Sequence, residues 1–438
     1  MIKLVMIRLP QLKTVLLVLI VPTLLEAGIL PGVRDGSNTP AHHDEKSCSS
    51  APGFSKIHEL DQDLAAILPG TSVLPQQAFV SHILKTYEIK TGSDVSHTRI
   101  TLRLKPADWG YYLALQQEIA KLIPEESKRP TIDLAVTNTS SNTARASIGI
   151  AGGTGPLSDS ELLKLIMESL NSETNRKKKL DWNQFAINLY SAPPPRNASE
   201  GWSRGISYVE GLTGFATRGH DKYFLASNTA HSKMSNFREL VSLTILRRGI
   251  GQKEGAVVDL VDYVASQVAS KDDVLILGTL RAYKDHLYPN YLSKRGLRAA
   301  DLSVDAPSSS GGEAQRSLGN YYTVENLERA TELQGLIDLA KEGNIEEVGD
   351  KVRDFIIREV KRIEASQRSL RKVKPIKIIL GCTELPMALR GDIMNRLNYE
   401  LQKTLPQKNS KRKIVPIQVL NTENLFARKI VGEIRTLF

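Results

Sequence analysis

The stretch Ile378-Ile-Leu-Gly-Cys-Thr-Glu-Leu-Pro386 decides the fold. Its short apolar run, stopped by a glycine and then by polar residues, is the pattern of a strand buried on both faces of a parallel sheet. Two upstream segments repeat the design, Tyr223-Phe-Leu-Ala-Ser-Asn-Thr-Ala-His231 and Val274-Leu-Ile-Leu-Gly-Thr279. Further strands are expected at Ser147–Ala151, Phe185–Tyr190, Ala256–Leu260 and Ile414–Leu420. Helical periodicity falls between them at Asp159–Leu170, Asn236–Arg247 and Val324–Glu342. Strands alternating with amphipathic helices specify an α/β chain whose parallel sheets are covered by helices. In such sheets ligands bind at the carboxyl ends of strands, which is where each polar turn falls.

At 438 residues the chain is long enough for more than one core. A net charge of +10 favours acidic partners, and the basic residues gather in Lys351–Lys377 and Lys403–Lys413. In the first cluster Val352, Phe355, Ile356 and Val360 recur at helical spacing, so the charges read as the solvated face of a helix. With no zinc-finger spacing or aromatic-rich RNA-binding motif, a nucleic-acid partner is not expected. Lys3, Arg8 and Lys13 precede the apolar run Val15–Leu25 and then Glu26-Ala-Gly28, the order of a secretory signal. A periplasmic or secreted protein is therefore expected, the alternative being an uncleaved membrane anchor. Cys48 and Cys382 read as two free thiols, and His42, His43 and Cys48 lack the spaced partners of a metal site.

The resulting map has a signal peptide over 1–28, a linker over 29–53 and a small α+β unit of unassigned role over 54–140. In that unit Phe79–Tyr87 and Tyr111–Ile123 are helical, while Arg99–Leu104 and Thr131–Val136 alternate as strands. One α/β domain then spans 146–250 and takes up the chain again at 411–438, with a second over 251–410. Asp301–Asn320 is a long polar insertion, read as a solvated loop or a lid.

Two more motifs flank the strands. Ile148-Gly-Ile-Ala-Gly-Gly-Thr-Gly-Pro156 leaves a strand and enters a helix, offering backbone N–H groups to an anion. No Gly-Lys-Ser/Thr follows, and the third glycine of a dinucleotide fingerprint is replaced by Ser158, so a carboxylate fits better than a nucleotide. Leu189-Tyr-Ser-Ala-Pro-Pro-Pro-Arg196 runs into a turn stiffened by prolines, and the guanidinium of Arg196 is suited to a carboxylate.

Taken in order, Gly-Gly-Thr-Gly-Pro156, the turn to Arg196, Ser227 to His231, Leu-Gly-Thr279 with Tyr288, and the Cys382 segment resemble the aspartate/glutamate racemase superfamily. The resemblance covers about residues 146 to 438, and Glu384 after Cys-Thr points to the aspartate-racemase branch. It implies two similar α/β domains with the active site between them, and racemisation of a small acidic amino acid without metal or other cofactor. It also allows a homodimer. By position Cys382 would be one acid/base, with Ser227 where the other cysteine belongs. His231 and Glu384 would support the two proton-transfer positions. Arg196, Asn228, Thr229, Thr383, Gly153, Thr154 and Thr279 would hold the substrate. Asn421 stands where relatives often carry an aspartate. A thiol ionises near pH 8.5 and a serine hydroxyl far higher, so Ser227 would act either with His231 assisting as a base or by holding a water. The same residues also fit a decarboxylase or isomerase of a dicarboxylate using one cysteine, or an inactive secreted binding protein.

Overall fold

The structure, a computed structural model, describes residues 56–59, 76–138, 146–152, 156–173, 180–193, 202–247, 257–300, 319–324, 327–342, 344–367, 374–404 and 417–438. The expected signal and linker with Cys48, the residues Gly153, Thr154 and Arg196, most of the 301–320 insertion and most of the second basic cluster lie outside them. Gly53–Phe438 is one compact unit, and everything below lies within it.

The chain begins with β1 (Lys56–Glu59), α1 (Gln76–Thr86), β2 (Arg99–Leu104), α2 (Gly110–Leu122) and β3 (Thr131–Val136). It continues through β4 (Ala146–Gly152), α3 (Pro156–Glu173), β5 (Phe185–Ser191), α4 (Trp202–Thr217) and β6 (Lys222–Leu225). Among the described residues these strands form one sheet in the order β1-β2-β3-β5-β4-β6, parallel except where β3 meets β5. The strands of the segment before residue 140 are thus hydrogen-bonded into the same sheet as those after it. Ile100, Leu102 and Leu104 of β2 alternate into the core, whereas β4 and β5 are buried almost throughout, as inner strands covered on both faces must be.

Helix α4 lies close on β4 because Gly149 has no side chain. A Cβ built there would stand 2.3 Å from the Phe215 ring, inside van der Waals contact. Gly149→Ala is expected to destabilise the protein by about 1–3 kcal/mol, the usual range for overpacking. Chemical denaturation reads the loss, and an unchanged midpoint would mean that α4 does not rest on β4.

A 3₁₀ turn (Thr229–Lys233) leads to α5 (Met234–Arg247), α6 (Leu260–Ser266), β7 (Asp273–Leu277), α7 (Leu280–Lys284), α8 (Leu287–Lys294), β8 (Arg298–Ala300) and β9 (Asn320–Thr323). Then come α9 (Leu327–Lys341), α10 (Ile345–Gln367), β10 (Ile376–Leu380), α11 (Glu384–Ala388), α12 (Asp392–Thr404), β11 (Ile417–Asn421) and α13 (Thr422–Arg435). The second sheet runs β11-β10-β7-β9-β8, all parallel. The returning segment divides: β11 completes this sheet, while α13 packs on α3 and α6. The architecture is therefore α/β, with two mainly parallel sheets covered by helices.

Most expected elements are found, and α10 buries Val352, Phe355, Ile356 and Val360 as its periodicity requires. Ala256–Leu260 is a correction. Only a single bridge joins Val257 to Tyr223, because Asp259 caps α6 by accepting the Asp262 N–H at 3.0 Å and so starts a helix at Leu260. Strands β8 and β9 were not expected: Arg298-Ala-Ala300 has no apolar run, and β9 follows the polar insertion. Among the described residues no helix is long and apolar enough to cross a membrane.

Candidate active site

Three strands, β6, β7 and β10, each parallel to its neighbour in its own sheet, end at one cavity of about 720 Å³. The turn after β6 delivers Ser227, Asn228 and Thr229, β7 delivers Thr279, and β10 delivers Cys382, Thr383 and Glu384. The first comes from one sheet and the others from the second, so the cavity lies between the two, at carboxyl ends of strands as expected.

Cys382 is a free thiol, 3% exposed. Its Sγ donates to Glu384 Oε2 at 2.6 Å, and the Thr383 hydroxyl donates to the same oxygen at 3.2 Å. Burial and the facing Glu384 carboxylate push the thiol well above its ordinary range, although Lys341 and the Glu384 backbone N–H pull the other way. A thiol so placed keeps its proton at neutral pH and points it at the Glu384 carboxylate. The reactive species toward an alkylating agent is the thiolate, so a raised pKa moves reactivity to higher pH. In protein lacking Cys48, the rate of Cys382 alkylation by iodoacetamide is expected to keep climbing beyond about pH 8.5, where an ordinary thiol is half ionised. A rate already level at neutral pH would contradict the arrangement.

The glycine before the cysteine has a steric reason. A Cβ at Gly381 would fall 2.7 Å from Tyr288 Cε2 and 3.1 Å from the Leu277 carbonyl. The Tyr288 ring therefore packs directly against the backbone of the turn after β10. Its buried hydroxyl donates to Asn228 Oδ1, and burial pushes that phenol up, so it remains a donor. Asn228 Nδ2 donates to Thr422 Oγ1 at 3.3 Å, and Thr422 in turn donates to the Leu380 carbonyl at 2.7 Å. These bonds tie the turn after β6 to the start of α13 and the end of β10. Thr229 and Thr279 hydroxyls lie 3.1 Å apart, and Thr279 also caps α7 by accepting the Ala282 N–H at 3.1 Å.

Ser227 lines the cavity, 8% exposed, and among the described residues its hydroxyl accepts only the Ala230 N–H at 3.4 Å. The expected help from His231 is corrected. Its Nδ1 donates to the Ser227 carbonyl at 2.6 Å, and Nε2 accepts the Leu260 N–H at 3.3 Å. With both nitrogens bonded to backbone, the ring cannot take a proton from the serine. Burial also lowers its pKa, keeping it neutral. His231 is a positioning residue that fixes the turn.

Sequence reasoning missed Lys341, at the end of α9. Its Nζ donates to Asp338 Oδ1 at 3.3 Å; Gln334 Nε2 donates to the same oxygen at 2.9 Å, and Gln334 Oε1 accepts the Leu280 N–H at 3.0 Å. Burial alone would lower the lysine pKa, but Glu384, Cys382 and Asp338 outweigh it and raise it, so the cavity keeps an ammonium. The signal was present: Gln334, Asp338 and Lys341 recur at four and three residues, a polar stripe on one helical face. Glu125 and Glu126, from the turn after α2, also line the cavity, as does the Arg281–Asp285 pair at 2.8 Å. Among the described residues no group of three or more His, Cys, Asp or Glu is arranged to hold a metal.

No family model matches the chain, and no curated protein matches it. It is similar to several solved structures. An aspartate racemase homologue from Pyrococcus horikoshii is 20% identical, over 66% of this chain and 99% of that one, with a TM-score of 0.40. The aspartate racemase of Picrophilus torridus is 16% identical, over 66% and 94%, with a TM-score of 0.36. Glutamate racemase from Francisella tularensis, solved with D-glutamate, is 12% identical, over 67% and 82%, with a TM-score of 0.38. Likeness this distant leaves activity and substrate to the site's own geometry.

Proposed function

We propose that the protein is a cofactor-independent racemase of a small acidic amino acid, working by removal and return of the Cα proton. The supporting observation is the Cys382 thiol held 2.6 Å from the Glu384 carboxylate, in a cavity that Ser227 enters from the other sheet. In this reading Glu384 takes the thiol proton, and the thiolate removes the Cα proton of bound substrate. Negative charge then grows on the substrate α-carboxylate. The Lys341 ammonium, already fixed by Asp338, stabilises it there. The hydroxyls of Thr229 and Thr279 add donors, and Glu125 and Glu126 suit the substrate ammonium. On the opposite face a proton returns from Ser227 or a water held by it; the oxygen left is reprotonated from solvent, to which Glu384 releases the proton it took, so the site regains its starting state. Gly153, Thr154 and Arg196 complete the carboxylate contacts by their place in the sequence. Export, read from residues 1–28, belongs to the same proposal.

A second reading is favoured by one observation. Among the described residues the Ser227 hydroxyl bonds to no base, since both nitrogens of His231 are taken by backbone. A decarboxylase or isomerase of a dicarboxylate, using Cys382 alone, needs no second proton donor.

Lys341→Met tests the charge logic. Removing a single donor to a developing oxyanion costs about a hundredfold or more, so kcat/KM for the acidic amino acid is expected to fall by at least that much. Lys341→Arg should recover part of it. Unchanged kcat/KM in Lys341→Met would remove the ammonium from the mechanism.

A further inference from the structure

A second cavity, of about 380 Å³, is separated from the first by α11. Glu384 lines the first and Pro386 the second. Two residues apart on a helical turn, they face nearly opposite ways. The apolar wall of the second cavity includes Leu165, Pro386 and Met394, and its charged groups are Glu161, Arg390 and Glu423.

Glu423 carries the argument. It is 2% exposed, and its Oε1 is buried with no hydrogen-bond partner among the described residues. Leaving a buried carboxyl oxygen unbonded costs free energy, and such a group calls for an explanation. Arg390, the cation at this cavity, is engaged elsewhere: its Nη2 meets Glu161 Oε2 at 3.0 Å, joining the turn after α11 to α3. Two carboxyls thus face one guanidinium, and the unmatched one is the more buried. Asp159 on α3 and Glu384 on α11 add further negative charge nearby. A pocket lined by Leu165, Pro386 and Met394 as well as by Asn398, Asn421 and Asn424, and holding a buried carboxyl oxygen without a partner among the described residues, has the polarity of an amine site.

We propose that this second cavity binds a small organic cation, a primary ammonium on a short apolar stem, with Glu423 as its counter-ion. Burial first, and then Glu161, Glu384 and Asp159 against the opposing pull of Arg390, push the Glu423 carboxyl well above the usual range. Without ligand it holds a proton. Binding of the ammonium favours the carboxylate, so one proton leaves to solvent for each cation bound, and the charge of the cavity is unchanged.

The test is calorimetric titration of the full-length protein at pH 7 with n-butylammonium chloride, in two buffers of different ionisation enthalpy. Saturable one-to-one binding with release of a proton is expected, and n-butanol should bind at least tenfold more weakly. Glu423→Gln, which preserves shape, should weaken butylammonium binding at least tenfold without proton release. Absence of saturable binding overturns the proposal. Equal binding of the alcohol also overturns it, because the pocket would then be only an apolar crevice. Equal binding by Glu423→Gln does the same. The comparison of amine with alcohol decides the matter even if that variant does not fold.

Discussion

Cys382→Ala is expected to reduce Cα proton exchange by at least about a thousandfold, within the range that a positioned acid/base contributes. The thiol is the one sulfur lining the cavity among the described residues, and it donates to a carboxylate 2.6 Å away. The fold should tolerate the change. The sulfur is small, and Glu384 keeps the Thr383 hydroxyl at 3.2 Å as a donor, so a loss of only about 1 kcal/mol is expected. Exchange followed by NMR, beside a melting curve, separates the two effects. Residual exchange near wild type in a folded variant would remove Cys382 from the mechanism.

The second large effect has the opposite sign. Ser227→Cys is expected to raise racemisation by about tenfold or more, because a thiol ionises near pH 8.5 and a serine hydroxyl does not ionise in the working range. The site has room for it. Ser227 gives up only a weak 3.4 Å contact from the Ala230 N–H, and no base beside it has to be rearranged. The gain should be greatest in inversion, since the added thiol lies on the β6 side while Cys382 lies at the end of β10. No gain, with ligand binding intact, would mean that the pocket has left two-sided chemistry and would favour the single-thiol reading.

The site was legible where strands are buried on both faces. Leu275 to Leu277 and Ile378 to Leu380 are fully enclosed, so their apolar runs were unambiguous and the turns that follow could be placed. Ala256–Leu260 misled because a short apolar run does not distinguish a strand from a helix start, and Asp259 settled the matter by capping. The role of His231 was not legible. The family resemblance offered it as a base for Ser227, but the 3₁₀ turn directs the ring to the backbone of Leu260. Lys341 was hidden by distance in sequence, since its relation to Cys382 exists only once α9 and α11 are packed together. Tyr288 was noticed as part of a segment, yet its position over Gly381 depends on tertiary contact. Gly153, Thr154 and Arg196 stay assignments from sequence, outside the described residues.

The most direct measurement is proton NMR of the full-length protein in D2O with L- and D-aspartate and L- and D-glutamate, following the Cα–H signal and the configuration of the product. The account predicts loss of the signal with formation of both enantiomers from at least one of the two amino acids. No exchange with any of the four would contradict it.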